Sequence, residues 1–225
     1  MIRKIYHGSD HIIRRPVLAA AKICNDYGPG FYCTEDAALA NEWSVSTGRD
    51  GFACSYEFDA EGLATLDLTG PGCTALHWLA VLVRNRTFNA PGALARDAKE
   101  YLVEYFLPPC ESADVITGYR ADDSRFSLAQ DFLNGTISYR HLKDALDLDG
   151  GGLQIVLKSS KAFARLRFRE AQTVPCSPWE GRKRERDAAL RHAYLDTERF
   201  ALRRNDLYIH DVLDKEMRPD DARLR

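Results

Sequence analysis

A chain of 225 residues with 45% hydrophobic and 10% aromatic residues carries enough apolar mass for one sizeable globular unit. Its formal net charge of -2 excludes bulk electrostatic attraction to nucleic acid; the local basic run Arg182, Lys183, Arg184 and Arg186 reads as a solvated helix face. Six scattered cysteines (Cys24, Cys33, Cys54, Cys73, Cys110, Cys176) form no Cys-x-x-Cys pair, which argues against zinc and predicts reduced thiols in a cytoplasmic protein without a membrane span.

In chain order, Ile2 to Tyr6 reads as a short strand ending at His7-Gly8-Ser9. Gly30 to Cys33 reads as a second strand. Thr34 is placed to cap the helix that follows, with Glu35 and Asp36 in its first turn, where the helix dipole favours acids. Ala37, Ala40 and Trp43 then recur at near-helical spacing. Phe52 to Phe58 and Leu63 to Leu68 alternate as a hairpin would. The run LHWLAVLVRNRTF puts Leu76, Leu79, Ala80 and Val83 on one helical face, and a second helix, Leu94 to Tyr105, stops before Pro108-Pro109.

Asp114 to Gly118 is a short strand. Asp123 can cap SRFSLAQDFL, ended by Asn134-Gly135, and Ser138 can cap SYRHLKDAL. Gly150-Gly151-Gly152 breaks the chain before LQIVLKSSKAFARLRF, read as strand, turn and strand. Beyond Pro175 and Pro178, Arg182 to Arg204 reads as an amphipathic helix. Strands and helices are interspersed without regular alternation, so the class is α+β. The expected organisation is one domain over 1–175 with a charged, mainly helical extension over 176–225.

Single residues decide little. His7 beside a glycine reads as structural or functional, and Asp122-Asp123 as helix caps or as an acid or metal-binding pair. No phosphate-cradling Gly-x-x-x-x-Gly-Lys-Ser/Thr or Gly-x-Gly-x-x-Gly occurs, which argues against a Rossmann dinucleotide site.

Read together, YHGS at the end of the first strand, GPGFYCTED with a downstream helical aromatic, and the late strand in GGLQIVL resemble the ADP-ribosyltransferase superfamily on its diphtheria-toxin and poly(ADP-ribose) polymerase side. More closely, the chain is similar to uncharacterised bacterial proteins sharing YHGS, GxGFY, LHWLA, an ADD motif and a Gln-bearing late strand, over about Ile5 to Phe168. That resemblance implies a split sheet with flanking helices and NAD as co-substrate, with no metal. It implies that His7 bonds the adenosine ribose, that the Gly8 backbone holds the nicotinamide amide, and that Tyr32 and Trp43 face the nicotinamide ring, with Ser9, Gly30 and Phe31 beside them. Partners implied are NAD, a macromolecular target, and an antitoxin or immunity protein.

The stacking is physically sound, because a planar cation between two electron-rich rings gains about 0.5 to 2 kcal/mol per face. Gly28 and Gly30 would let backbone approach closely. Two departures stand out. Gln154 occupies the position of the family's catalytic glutamate, and Ala40 a position where a serine is common. A neutral amide keeps a hydrogen bond but lacks the charge that stabilises an oxocarbenium-like centre. Three consequences are open: slow transfer of one ADP-ribose, a substitute acid with Asp123 or Asp122 as candidates, or binding without chemistry.

Overall fold

A computed structural model of the chain describes residues 2–18, 25–148, 152–199 and 206–225. Cys24, Gly150, Gly151 and the last residues of the predicted basic helix lie outside these segments. The elements are β1 (Ile2–Ser9), β2 (Phe31–Cys33), α1 (Ala37–Ser44), β3 (Gly51–Asp59), β4 (Thr65–Asp67), α2 (Ala75–Asn85), α3 (Ala93–Tyr105) and β5 (Val115–Tyr119). They continue with α4 (Asp123–Leu133), α5 (Tyr139–Leu146), β6 (Leu153–Leu157), α6 (Ser160–Ala164), β7 (Leu166–Val174), α7 (Cys176–Arg199) and α8 (Ile209–Asp214). The class is α+β, with two sheets.

The first sheet has the order β1-β3-β7, all antiparallel, and the second β2-β6-β5-β4. A backbone bridge joins them: Tyr6 N donates to Thr34 O at 2.8 Å and Thr34 N to Tyr6 O at 2.9 Å. Past this joint β1 continues through His7, Gly8 and Ser9, paired only with β3 on its other side, and the sheets part. One core lies between the sheets, built from Ile5, Phe31, Cys33, Tyr56, Phe58, Ile155 and Leu157. On the opposite face of the second sheet a larger core gathers Val156 and Ile116 with α2 to α5 and α8. The alternation along β6 explains this division, since Ile155 and Leu157 face one core while Gln154 and Val156 face the other way.

Several expectations are corrected. The predicted hairpin does not form, because both edges of β3 are taken by β1 and β7. Residues 65–67 instead pair in parallel with β5, anchored where Asp114 accepts from Ala64 N at 3.0 Å and Asp114 N donates to Ala64 O at 2.8 Å. The late strand-turn-strand exists, but β6 and β7 belong to different sheets with the short α6 between them. Asp36, not Thr34, caps α1 through bonds from Ala38 and Leu39 N. Asp122, not Asp123, caps α4, accepting from Arg125 N at 3.0 Å.

Helix α2 is buried on every side from Leu76 to Val83 rather than along one face, which is why its sequence is so continuously apolar. The segment beyond 175 is not an appendage. Ile209, Val212, Met217 and Leu224 are buried in the larger core, and Tyr139 Oη donates to Leu224 O at 2.7 Å.

Candidate functional site

Where the two sheets part, a cleft of about 960 Å³ opens. It is lined by His7, Gly8 and Ser9 of β1, Gly30, Phe31 and Tyr32 at β2, Trp43 and Ser44 of α1, and Gln154 of β6. Eight of the nine predicted site residues thus converge on one cavity. The ninth, Asp123, is exposed in the first turn of α4 and does not line it. Asp122 is buried, but its carboxylate is committed to the α4 cap and to Arg186.

His7 is held from two sides. Its Nδ1 lies 2.6 Å from Tyr32 O, and its ring packs on Phe31 at a 30° tilt with centroids 4.4 Å apart. A carbonyl can only accept, so Nδ1 carries the hydrogen and Nε2 is left as an acceptor. Burial lowers the imidazole below its ordinary value, with the bond to Tyr32 O opposing, which keeps the ring neutral. Gly8 has a structural reason to be glycine: a Cβ there would lie 1.9 Å from Ala40 O, so only a bare Cα lets α1 press against β1. Ala40, fully buried under that contact, faces packing rather than ligand.

Tyr32 uses its hydroxyl locally. It donates to Gly28 O at 2.6 Å and accepts from Tyr27 N at 2.9 Å, closing a turn in which Gly28 has φ +72°. Its phenol is pushed up by burial. The ring sits opposite Val156 in the β2–β6 register, hence on the same sheet face as Gln154. Trp43 has the Arg120 guanidinium over its ring at 5.5 Å, so one of its two faces is already taken by a cation. Ser9 Oγ donates to His11 O at 2.5 Å.

Several charged residues of the cleft escaped the sequence reading. Asp26 is buried at the cleft, in an ion pair with Arg86 at 2.6 Å, and accepts from Ala121 N at 3.1 Å and Gln154 Nε2 at 3.2 Å. It sits just before the GPGFY turn, where an aspartate reads as turn chemistry. Arg120 belongs to the RADDS segment whose acids drew attention instead of its base. Arg15 and Lys183 supply further positive charge, and Lys183 comes from α7, within the run expected to face solvent. The rest of that run divides. Arg182 lies over Trp179, Arg184 pairs with Glu180, and Arg186 binds Glu42 at 2.7 Å and Asp122 at 3.1 Å.

Among the described residues, no group of three or more His, Cys, Asp or Glu is placed to hold a metal ion, and no helix is long and apolar enough to cross a membrane. The described cysteines are all free.

A family model described as protein of unknown function (DUF3990) matches residues 3–168, well over half of the chain. The chain belongs to the DUF3990 family. No curated protein and no solved structure matches it significantly. The DUF3990 segment starts in β1 and ends in β7, so it contains every cleft-lining residue named above except Lys183, which α7 adds from outside it.

Proposed function

We propose that the chain is an NAD-dependent mono-ADP-ribosyltransferase with an ADP-ribosyltransferase-like split sheet. It acts in the cytoplasm as a bacterial toxin or effector, on a protein or nucleic-acid target, and is countered by an antitoxin or immunity protein. The observation that carries this reading is the convergence of His7, Tyr32, Trp43 and Gln154 on one cleft at the parting of the two sheets. The cavity is large enough for a dinucleotide, and Arg15, Arg120 and Lys183 give it cations for a pyrophosphate.

In the reaction proposed, the bond between the nicotinamide nitrogen and the ribose carbon breaks, and its electron pair leaves with nicotinamide, which departs neutral. The cationic sugar carbon is taken by a nucleophile of the target, or by water in the hydrolytic side reaction, and the nucleophile's proton passes to solvent. His7 Nε2 accepts from a ribose hydroxyl, Tyr32 and the free face of Trp43 bracket the departing ring, and Gln154 hydrogen-bonds the sugar.

The amide at Gln154 favours a second reading, a module that binds NAD or ADP-ribose without turnover. Nicotinamide release from NAD separates the two. Release that disappears in His7→Ala and Gln154→Ala variants of unchanged thermal stability supports the enzyme. NAD binding by calorimetry with no release supports the module, and no binding at all sinks both.

A further inference from the structure

Gln154 is almost fully buried, yet it lines the cleft. Its Nε2 lies 3.2 Å from Asp26 Oδ2 and 3.4 Å from Tyr119 O. Both neighbours are acceptors, so the amide can face them only with its NH2 group, and the flip of the side chain is fixed by the network. The carbonyl Oε1 has no protein donor among the described residues. It is therefore the group this side chain has left for a ligand.

Asp26 is in turn held so that it can do nothing else. Arg86 binds its Oδ1 at 2.6 Å, and the backbone N of Ala121 donates to Oδ2 at 3.1 Å, beside the bond from Gln154. Tyr119 O, the other partner, is fixed by Tyr27 Oη at 2.6 Å and Trp78 Nε1 at 3.0 Å. An amide whose N–H groups donate to a carboxylate carries more negative charge on its oxygen than a free amide, because hydrogen bonds in a chain polarise one another.

Resting on the function proposed above, we infer that Asp26 is a positioning residue that locks Gln154 as an acceptor-only, polarised group toward a sugar hydroxyl of the ligand. The chain thus keeps a carboxylate at the reaction centre, one hydrogen bond behind the position where the resembling enzymes have theirs. Asp123 is not needed for that purpose.

The inference changes what Gln154→Glu does. A glutamate there faces Asp26 at hydrogen-bond distance, and two carboxylates so close retain a proton between them. The single variant is expected to be poorly active near neutral pH and to gain activity as pH rises. In Asp26→Asn/Gln154→Glu the competing carboxylate is removed and the charge moves to position 154, so activity is expected to return to at least the wild-type level. Asp26→Asn alone is expected to lower kcat for nicotinamide release about tenfold with KM for NAD within about twofold, the pattern of an interaction used in the transition state. Thermal melting of each variant controls for stability, kcat being compared only among variants that remain folded at the assay temperature.

Full kcat in Asp26→Asn, or a double variant no better than Gln154→Glu, overturns the inference while leaving the transferase reading intact. A wild-type protein that releases no nicotinamide overturns the transferase and the claim on turnover together. The side-chain amide resonances of Gln154 in a labelled sample decide the orientation independently of turnover. They are expected to be exchange-protected and to shift in Asp26→Asn, and an unprotected pair unmoved by that substitution refutes the lock.

Discussion

At the level of single residues the cleft depends on a neutral His7, and neutrality has a cost that pH reveals. Burial lowers the His7 and His77 imidazoles below the ordinary 6.5. The unfolded chain therefore takes up a proton at each site before the folded chain does. Stability is complete above about pH 6.5 and falls as pH drops through that value, until the folded imidazoles also protonate. Denaturant midpoints measured from about pH 7.5 down to about pH 5.5 are expected to decline in wild type and to decline less in His7→Asn, which keeps a donor for Tyr32 O without a titrating ring. An equal slope in both proteins would show that His7 is not held neutral. Carboxylates whose pKa values are lowered, such as Asp67 and Asp221, act at more acidic pH, while Asp187, raised by burial, works in the opposite direction to the histidines.

Among the elements, the contact of α1 with β1 sets the position of Trp43 and Ser44, and Gly8 is its critical point. A methyl group at residue 8 meets Ala40 O and the Ser44 backbone, neither of which is a flexible side chain that can move aside. Gly8→Ala is expected to cost about 3 kcal/mol, the upper end of overpacking penalties, and urea unfolding measures it. A loss below about 1 kcal/mol would mean that α1 rides freely over the strand. This contact also marks what was legible in the sequence. The first and second strands, the helix through Trp43 and the late strand bearing Gln154 were readable because each has a local signature: a period, a cap or a glycine turn. The pairing of β4 with β5 was not readable, because it depends on which edges of β3 are free, a property of the whole sheet. Asp26 was invisible for a related reason: its partners, Arg86, Ala121 and Gln154, are all remote in sequence.

Across the whole molecule, the C-terminal segment belongs to the same body as the matched family segment. Arg186 on α7 ties Glu42 of α1 to Asp122 at the start of α4, and all three side chains are largely withdrawn from solvent. Breaking one partner of such a cluster strands a buried charge. The terminal residues also fill the larger core with Ile209, Val212, Met217 and Leu224. A chain ended after residue 175 is therefore expected to lose cooperative thermal unfolding. Lys183→Ala, which removes a cation from the cleft lining, is expected to keep it and to weaken NAD binding in a salt-dependent way. A truncated chain that melts cooperatively near the wild-type temperature would show that the extension is separable.

The joint between Tyr6 and Thr34 has one more implication. Two reciprocal amide bonds sit where the sheets diverge, one residue from His7 and two from Tyr32. If the sheets separate to admit a ligand, those two amide hydrogens are the first to meet solvent, and they do so together. Their paired exchange with deuterium then counts cleft openings in the resting protein, and a bound ligand that clasps both sheets slows the two amides by the same factor.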